Sequence, residues 1–99
     1  MIMKNKMSPV KICDAQDCAY NKNLQCHAMA INVGGPEVCP NCDTFMSRGN
    51  KGGIPKPMAG VGACKVEQCK FNELFECNAK GIEVRMHSGH ADCGTYSPR

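Results

Sequence analysis

The sequence is poor in the side chains that build an ordinary hydrophobic core. It has no tryptophan, two tyrosines and three phenylalanines among 99 residues, and leucine, isoleucine, valine and phenylalanine together number 16. A chain usually needs roughly a fifth of its residues from these four types to form a core. Units smaller than about 40 residues usually require disulfides, a metal or a partner. The composition therefore predicts that something other than apolar burial holds this chain together.

Long apolar runs are also absent. No stretch approaches the roughly 20 consecutive apolar residues of a membrane-spanning helix. The first ten residues include Lys4 and Lys6 and lack the apolar region of about 7–15 residues that marks a secretory signal. We therefore expect a cytoplasmic protein without membrane association. Repeated cysteines in that reducing compartment bind metal more often than they pair as disulfides.

The chain lacks a strong charge of either sign. Its formal net charge is +3, and a zinc ion on four thiolates adds about −2 per site, so two filled sites would bring the total to about −1. Such a charge does not suit the basic surface of a nucleic-acid binder. The positive excess comes from residues outside the repeats described next, namely Lys4, Lys6, Arg48, Lys51, Lys56 and Arg99.

Cysteine is abundant, and its spacing repeats. Eight of the nine cysteines form two sets with the same pattern, C-x(4)-C-x(7)-C-x(15)-C, the second set 51 positions after the first. Four sulfur ligands are what a tetrahedral structural zinc site requires. The sequence therefore predicts two zinc ions, with iron as the alternative metal. The predicted ligands are Cys13, Cys18, Cys26, Cys42, Cys64, Cys69, Cys77 and Cys93.

Two further residues are alternates for the last ligand of a set. Cys39 forms a C-x-x-C with Cys42, and His90 stands at the matching place before Cys93. We prefer Cys42 and Cys93, because both are cysteines and both lead into a Thr-aromatic pair. Two readings stay open beside metal binding. Four cysteines can form two disulfides in three pairings, and a C-x-x-C can be a redox pair, although the βαβ pattern of thioredoxin-like proteins is lacking here.

The repeat extends beyond the cysteines and divides the chain into segments. Helix signals are scarce, while residues 31–33 and 82–86 alternate apolar and polar side chains with the period of a half-buried strand. The expected fold is therefore small, metal-stapled, Cys-rich domains in two tandem copies, mostly irregular with short β-strands. The predicted segments are a disordered tail over 1–9, a first Cys-rich repeat over 10–45, a Gly/Pro linker over 46–60 and a second Cys-rich repeat over 61–96.

Aromatic residues occupy equivalent places in the two repeats. Tyr20 matches Phe71, and Phe45 matches Tyr96. Aromatic side chains can stack on nucleic-acid bases, but these lie beside cysteines or turns. We expect them to pack over the metal sites.

Four short motifs recur in both copies. The first copy has Tyr20-Asn21, Cys26-His27-Ala28, Ile31-Asn32-Val33 and Cys42-Asp43-Thr44-Phe45. The second has Phe71-Asn72, Cys77-Asn78-Ala79, Ile82-Glu83-Val84 and Cys93-Gly94-Thr95-Tyr96. With these motifs each repeat resembles the small Cys-rich bacterial family called domain of unknown function 1540. The resemblance covers both repeats, omits the tail and linker, and implies metal binding without an established activity.

The sequence as a whole predicts a metal-binding protein and not an enzyme. A metal held by four protein thiolates has no open position for a substrate. We expect an interaction or accessory protein with a protein partner and without nucleic acid. One alternative is a disulfide-rich structural protein, for instance of a spore layer, in which Cys39 links chains. Another is a metal store or sensor, which needs thiolates exposed to solvent.

Overall fold

The computed structural model describes residues 7–35 and 40–99, and their regular structure consists of short strands. The expectation of a small Cys-rich fold with short β-strands is confirmed. Within the described part of the chain, no helix is long and apolar enough to cross a bilayer. The strands are β1 (Ser8–Cys13), β2 (Asn21–Lys22), β3 (Gln25–Cys26), β4 (Ile31–Gly34), β5 (Asn41–Cys42), β6 (Gly60–Cys64), β7 (Asn72–Glu73), β8 (Glu76–Cys77), β9 (Ile82–His87) and β10 (His90–Cys93).

Six of these strands close into a barrel in the order β1-β6-β4-β5-β10-β9. Four of the six pairings join one repeat to the other, because β1 pairs with both β6 and β9, β4 pairs with β6, and β5 pairs with β10. The two repeats therefore share one barrel. They do not lie beside each other as two separate sheets.

The first strand of each repeat is exchanged. β1 runs parallel to β9, where Cys13 is opposite Val84. β6 runs parallel to β4 in the same way, where Cys64 is opposite Val33. Parallel partners need a crossover connection of a dozen or more residues, and here residues 35–59 connect β4 to β6 while residues 14–81 connect β1 to β9. Because both pairings join equivalent positions, the barrel has an approximate twofold symmetry.

The core lies inside this barrel and is small. Ile31, Val61 and Ile82 are almost fully buried, with at most 2% of each side chain exposed. Burying one such aliphatic side chain contributes about 1.5–3 kcal/mol. In β4, and in β9 as far as Val84, the apolar residues are buried and the polar ones exposed, as the alternation predicts. Met86 departs from the pattern, because it is 42% exposed. The same cluster includes the cysteines of both sets, so the sulfurs are part of the core.

Two hairpins, β2–β3 and β7–β8, are antiparallel pairs outside the barrel. Their turns contain Leu24 and Phe75 with φ of 64° and 67°. Left-handed backbone costs a residue with a side chain roughly 1–2 kcal/mol. The carbonyl groups of Leu24 and Phe75 accept hydrogen bonds from the N–H groups of Cys13 and Cys64, both at 2.9 Å. These bonds fix each hairpin to the end of the first strand of its own repeat.

The first strand begins earlier than the sequence predicts. β1 starts at Ser8, inside the segment assigned to a tail over 1–9, so Ser8 and Pro9 belong to the barrel. Ser8 is fully buried. Residues 1–6 lie outside the described residues.

The segment predicted as a linker is bonded to the first repeat. The N–H of Gly52 donates to the carbonyl of Ala19 at 2.8 Å, and the N–H of Ile54 donates to the carbonyl of His27 at 2.8 Å. Gly60, its last residue, begins β6. The chain between the repeats is thus held along the first repeat before it enters the barrel.

Candidate metal centres

The strands position the cysteines. Three cysteines in each repeat end a strand, and the remaining ones, Cys18 and Cys69, lie in the loop after the first strand. Isolated bridges pair Cys18 with Ser47 and Cys69 with Pro98. A residue that ends a strand is fixed by the hydrogen-bond ladder, while the chain after it is free to turn. The cysteines that end strands are Cys13, Cys26, Cys42, Cys64, Cys77 and Cys93.

All four predicted ligands of the first repeat line one small cavity. Its volume is about 10 Å³, and the aromatic side chains of Tyr20 and Phe45 also line it. None of the charged side chains among the described residues reaches it. The cysteines around it are Cys13, Cys18, Cys26 and Cys42.

The second repeat builds an equivalent cavity. Its volume is about 20 Å³, and Phe71 and Tyr96 line it at the places of Tyr20 and Phe45. The aromatic residues thus pack against the cysteine cavities, as predicted. Although the repeats exchange strands, each cavity gathers the four cysteines of one repeat. The cysteines of this one are Cys64, Cys69, Cys77 and Cys93.

Main-chain N–H groups point at the sulfur atoms. In five cysteines the sulfur accepts a hydrogen bond from the backbone of the residue two positions later. Hydrogen bonds of this kind favour the thiolate over the thiol. The donor residues are Ala15 for Cys13, Ala28 for Cys26, Thr44 for Cys42, Val66 for Cys64 and Thr95 for Cys93.

Burial nevertheless outweighs these donors while no cation is present. Burial, with a smaller contribution from the neighbouring Cys26, raises the pKa of Cys42 to about 12. Burial likewise raises the pKa of Cys93 to about 11, with Cys77 adding to the effect. A positive ion at the cavity would supply the charge that makes ionisation favourable. The cavities therefore suit thiolates that form only together with a bound cation.

Two buried asparagines hold the first cysteine of each set. The Nδ2 of Asn21 donates to the Cys13 carbonyl at 2.8 Å, and the Nδ2 of Asn72 donates to the Cys64 carbonyl at 2.9 Å. Burial raises the pKa of both cysteines, and each amide, which also donates to the sulfur of its cysteine, partly offsets that rise. Sequence reasoning assigned these asparagines no role at the site. Their identity at matching positions is the signal that could have found them.

The donor chemistry fits a tetrahedral thiolate metal. Each cavity offers four sulfurs, which zinc and iron both accept. Within residues 7–35 and 40–99, however, no three or more histidine, cysteine, aspartate or glutamate side chains are already arranged to hold an ion. Binding would require the sulfurs to close on the ion from the cavity wall. The ligand role of the eight cysteines stays a prediction, and all eight are free thiols in the structure.

Of the two alternates, one lies in the part of the chain that the structure describes. Cys39 lies in residues 36–39, outside the described residues. His90 is exposed at the start of β10, where it pairs with His87, and it is not among the residues that line the second cavity.

The family of the chain follows from a comparison with family models. The model described as Domain of Unknown Function (DUF1540) matches residues 12–45 and 63–96, which is more than half of the chain. The chain belongs to the DUF1540 family. Each match runs from the residue before the first cysteine of a set to the aromatic residue after the fourth, so each DUF1540 copy contains one complete cysteine set. The predicted tandem arrangement is confirmed. No curated protein and no solved structure matches the chain.

Proposed function

We propose that this DUF1540 protein binds two zinc ions, one on each four-cysteine set, and that the ions are structural. It then serves as a cytoplasmic interaction or accessory protein and not as an enzyme. The observation that carries the proposal is that four cysteines of each repeat line one cavity. The DUF1540 membership and the cysteine content are compatible with metal binding.

The small core supports a stabilising role for the metal. Among the described residues, six aliphatic side chains larger than alanine have at most 3% of their surface exposed, namely Ile31, Val33, Val61, Val66, Ile82 and Val84. Structural zinc in small domains contributes roughly 10–16 kcal/mol of apparent binding free energy that becomes folding free energy. That amount is similar to what these aliphatic side chains supply together at about 1.5–3 kcal/mol each, so loss of the ions would remove a large share of the stabilisation. The metal-free chain is therefore expected to be largely unfolded.

Burial of the sulfurs favours a structural role over storage or sensing. Five of the eight cysteines are buried, and the other three, Cys42, Cys77 and Cys93, are half-buried. A store or sensor exchanges its metal and needs accessible thiolates. Four thiolates also leave no coordination position for a substrate, which is the argument against catalysis at these sites.

The β7–β8 turn supports an interaction role. Leu74 and Phe75 follow each other there with 65% and 52% of their side chains exposed. Exposed apolar side chains that are neighbours can mark a surface for another protein. A protein partner is therefore the proposed class of interactor.

Native mass spectrometry tests the metal proposal directly. The protein is purified without added zinc or reductant, and its intact mass is compared with that of the reduced chain. The expected mass is two zinc ions higher. A mass lower by about two hydrogens per cysteine pair, with no metal, would establish disulfides instead. An iron-loaded chain would show the mass of iron and visible absorption from thiolate-to-iron charge transfer.

Four variants then identify the fourth ligand. Cys42→Ser and Cys93→Ser should each lose one ion. The matched changes Cys39→Ser and His90→Ala, at the alternate positions, should each keep both zinc ions. If Cys39→Ser lost an ion and Cys42→Ser did not, the alternate would be the ligand.

A further inference from the structure

Two buried valines lie directly between the two cysteine sets. On β9, Val84 is opposite Cys13 of the first set on one side and opposite Cys93 of the second set on the other. Both neighbours are ladder partners, so one residue separates a cysteine of each set. Val84 is 3% exposed, which places this connection in the core.

Val33 makes the equivalent connection on β4. It is opposite Cys42 of the first set and Cys64 of the second, and it too is 3% exposed. Main-chain hydrogen bonds next to the cysteines hold both strand pairings together. The N–H of Asp14 donates to the Val84 carbonyl at 2.9 Å, and the N–H of Lys65 donates to the Val33 carbonyl at 2.8 Å.

Residues of β1 and of the first repeat also form hydrogen bonds with the main chain of two further cysteines of the second set. The Ser8 hydroxyl donates to the Cys77 carbonyl at 2.8 Å. The N–H of Cys93 donates to the carbonyl of Pro40 at 2.8 Å. Three of the four cysteines in the second set thus contact β1 or the first repeat through their main chain: Cys64 pairs with Val33, Cys77 accepts from the Ser8 side chain, and Cys93 donates to Pro40.

Each cavity is also incomplete without the opposite repeat. Val84 and Ala91, both from the second repeat, line the cavity of the first set. Val33, from the first repeat, lines the cavity of the second set. A repeat by itself would lack a wall of its own cavity and the strand partner of its first cysteine.

We propose that the two four-cysteine sites form one cooperative metal-binding unit, in which filling either site raises the affinity of the other. This inference rests on the proposed metal binding. An ion at the first set fixes the ends of β1 and β5, and those strands are the partners of β9 and β10. The ordering that the second set needs is then partly complete before its own ion arrives, so its binding loses less conformational entropy.

The coupling must act equally in both directions, because it is a difference of binding free energies. Couplings between sites in proteins commonly correspond to about 5–150-fold in affinity. Because two buried valines each pair with a cysteine of both sets and the core is shared, we expect a coupling factor in affinity of about tenfold or more.

A zinc titration of the reduced, metal-free full chain followed by native mass spectrometry tests this. At one ion per chain, two equal and independent sites leave about half of the molecules with one ion. Cooperative sites instead give mainly chains with no ion and chains with two. A one-ion population at or above about half would overturn the coupling and leave the metal proposal intact. If no zinc bound at all, the proposed function itself would fail.

Single-site variants measure the factor. Cys77→Ser disables the second set, and Cys26→Ser disables the first at the equivalent position. The affinity of the surviving site, measured by competition with a chromophoric chelator, should fall below the wild-type mean in both variants. The product of the two fold-losses is the coupling factor of about tenfold or more, so equal sites should each lose about threefold or more. Met29→Ser, at a side chain that is 76% exposed, should leave both affinities unchanged. Unchanged affinity of the surviving site in the two cysteine variants would overturn the coupling. If a variant does not fold, the populations of wild-type chains with no, one and two ions decide whether the sites are coupled.

Discussion

The hydroxyl oxygen of Ser8 lies 2.8 Å from the carbonyl oxygen of Cys77, although 69 positions separate the two residues. The same hydroxyl lies 2.6 Å from the carbonyl oxygen of Ala79. The matching residue in the second repeat is Ala59, which is also buried and has no hydroxyl. This contact therefore breaks the symmetry of the barrel: it joins the start of β1 to the second cysteine set, and Ala59 cannot make the equivalent bond to the first set.

We predict that Ser8→Ala destabilises the metal-loaded protein by about 1–3 kcal/mol, because the carbonyl groups of Cys77 and Ala79 lose the one hydroxyl donor that they share. Denaturant unfolding of the zinc-loaded chain measures the change. The control is Ser47→Ala, since Ser47 is exposed and its change should stay within about 0.5 kcal/mol. Equal effects of the two substitutions would show that the Ser8 hydroxyl contributes nothing to stability.

Asn21 gives a second prediction. Its buried side chain donates to the carbonyl and the sulfur of Cys13, so Asn21→Asp removes the donor at almost constant shape. The new carboxylate would also stand beside a sulfur that must become negative on binding metal. We expect a loss of about 1–3 kcal/mol in the free energy of unfolding and weaker zinc binding at the first set.

The matched control for this change is Asn32→Asp on the same repeat. Asn32 is exposed on β4, so the same substitution there should alter stability by no more than about 0.5 kcal/mol. Chelator competition on both variants measures zinc affinity separately from the change in the free energy of unfolding. Similar zinc affinities for Asn21→Asp and Asn32→Asp would contradict the role given to Asn21.

The sequence predicts the local features of the fold because their signals are local. The alternation at residues 31–33 and 82–86 predicts β4 and β9, and the cysteine spacing groups the residues that line each cavity. The strand exchange has no such signal. Val10 and Val61 are identical, as are Ile31 and Ile82, so the first strand finds the same side chains in its own repeat and in the other. In a duplicated chain, residue identity cannot distinguish these pairings.

Gly53 tests how the segment between the repeats is fixed. It has φ of +100°, and a Cβ added there would collide with the carbonyl oxygen of His27. We predict that Gly53→Ala lowers the free energy of unfolding by at least about 1 kcal/mol, because both the left-handed backbone and the contact with main chain oppose the side chain. Gly52→Ala is the control, since a Cβ there meets nothing within 4 Å. If both alanines were equally tolerated in thermal unfolding, this segment would not be fixed against the first repeat in solution.

The raised pKa values of the thiols predict how metal binding depends on pH. A free cysteine has a pKa of about 8.5, while burial raises the pKa of Cys42 to about 12. The thiols with a raised pKa are therefore neutral near pH 7 and must each release a proton when they bind an ion; they are Cys13, Cys26, Cys42, Cys64 and Cys93. Zinc added to the metal-free protein in weak buffer should release close to one proton per bound cysteine, which a pH indicator dye can count.

The two forms of the protein should respond to pH in opposite directions. In any folded metal-free form the raised pKa of Cys42 favours the neutral thiol, so this contribution to stability is complete below about pH 8.5 and disappears as the pH rises toward about 12. In the metal-loaded form protons compete with zinc, so the apparent affinity falls as the pH falls, by up to about four orders of magnitude per unit for four thiolates. Chelator competition at a series of pH values gives the slope of the logarithm of zinc affinity against pH directly. The Cys42→Ser variant should release fewer protons at the first set, and a slope near zero in the wild type would mean that the sulfurs are already ionised before the metal binds.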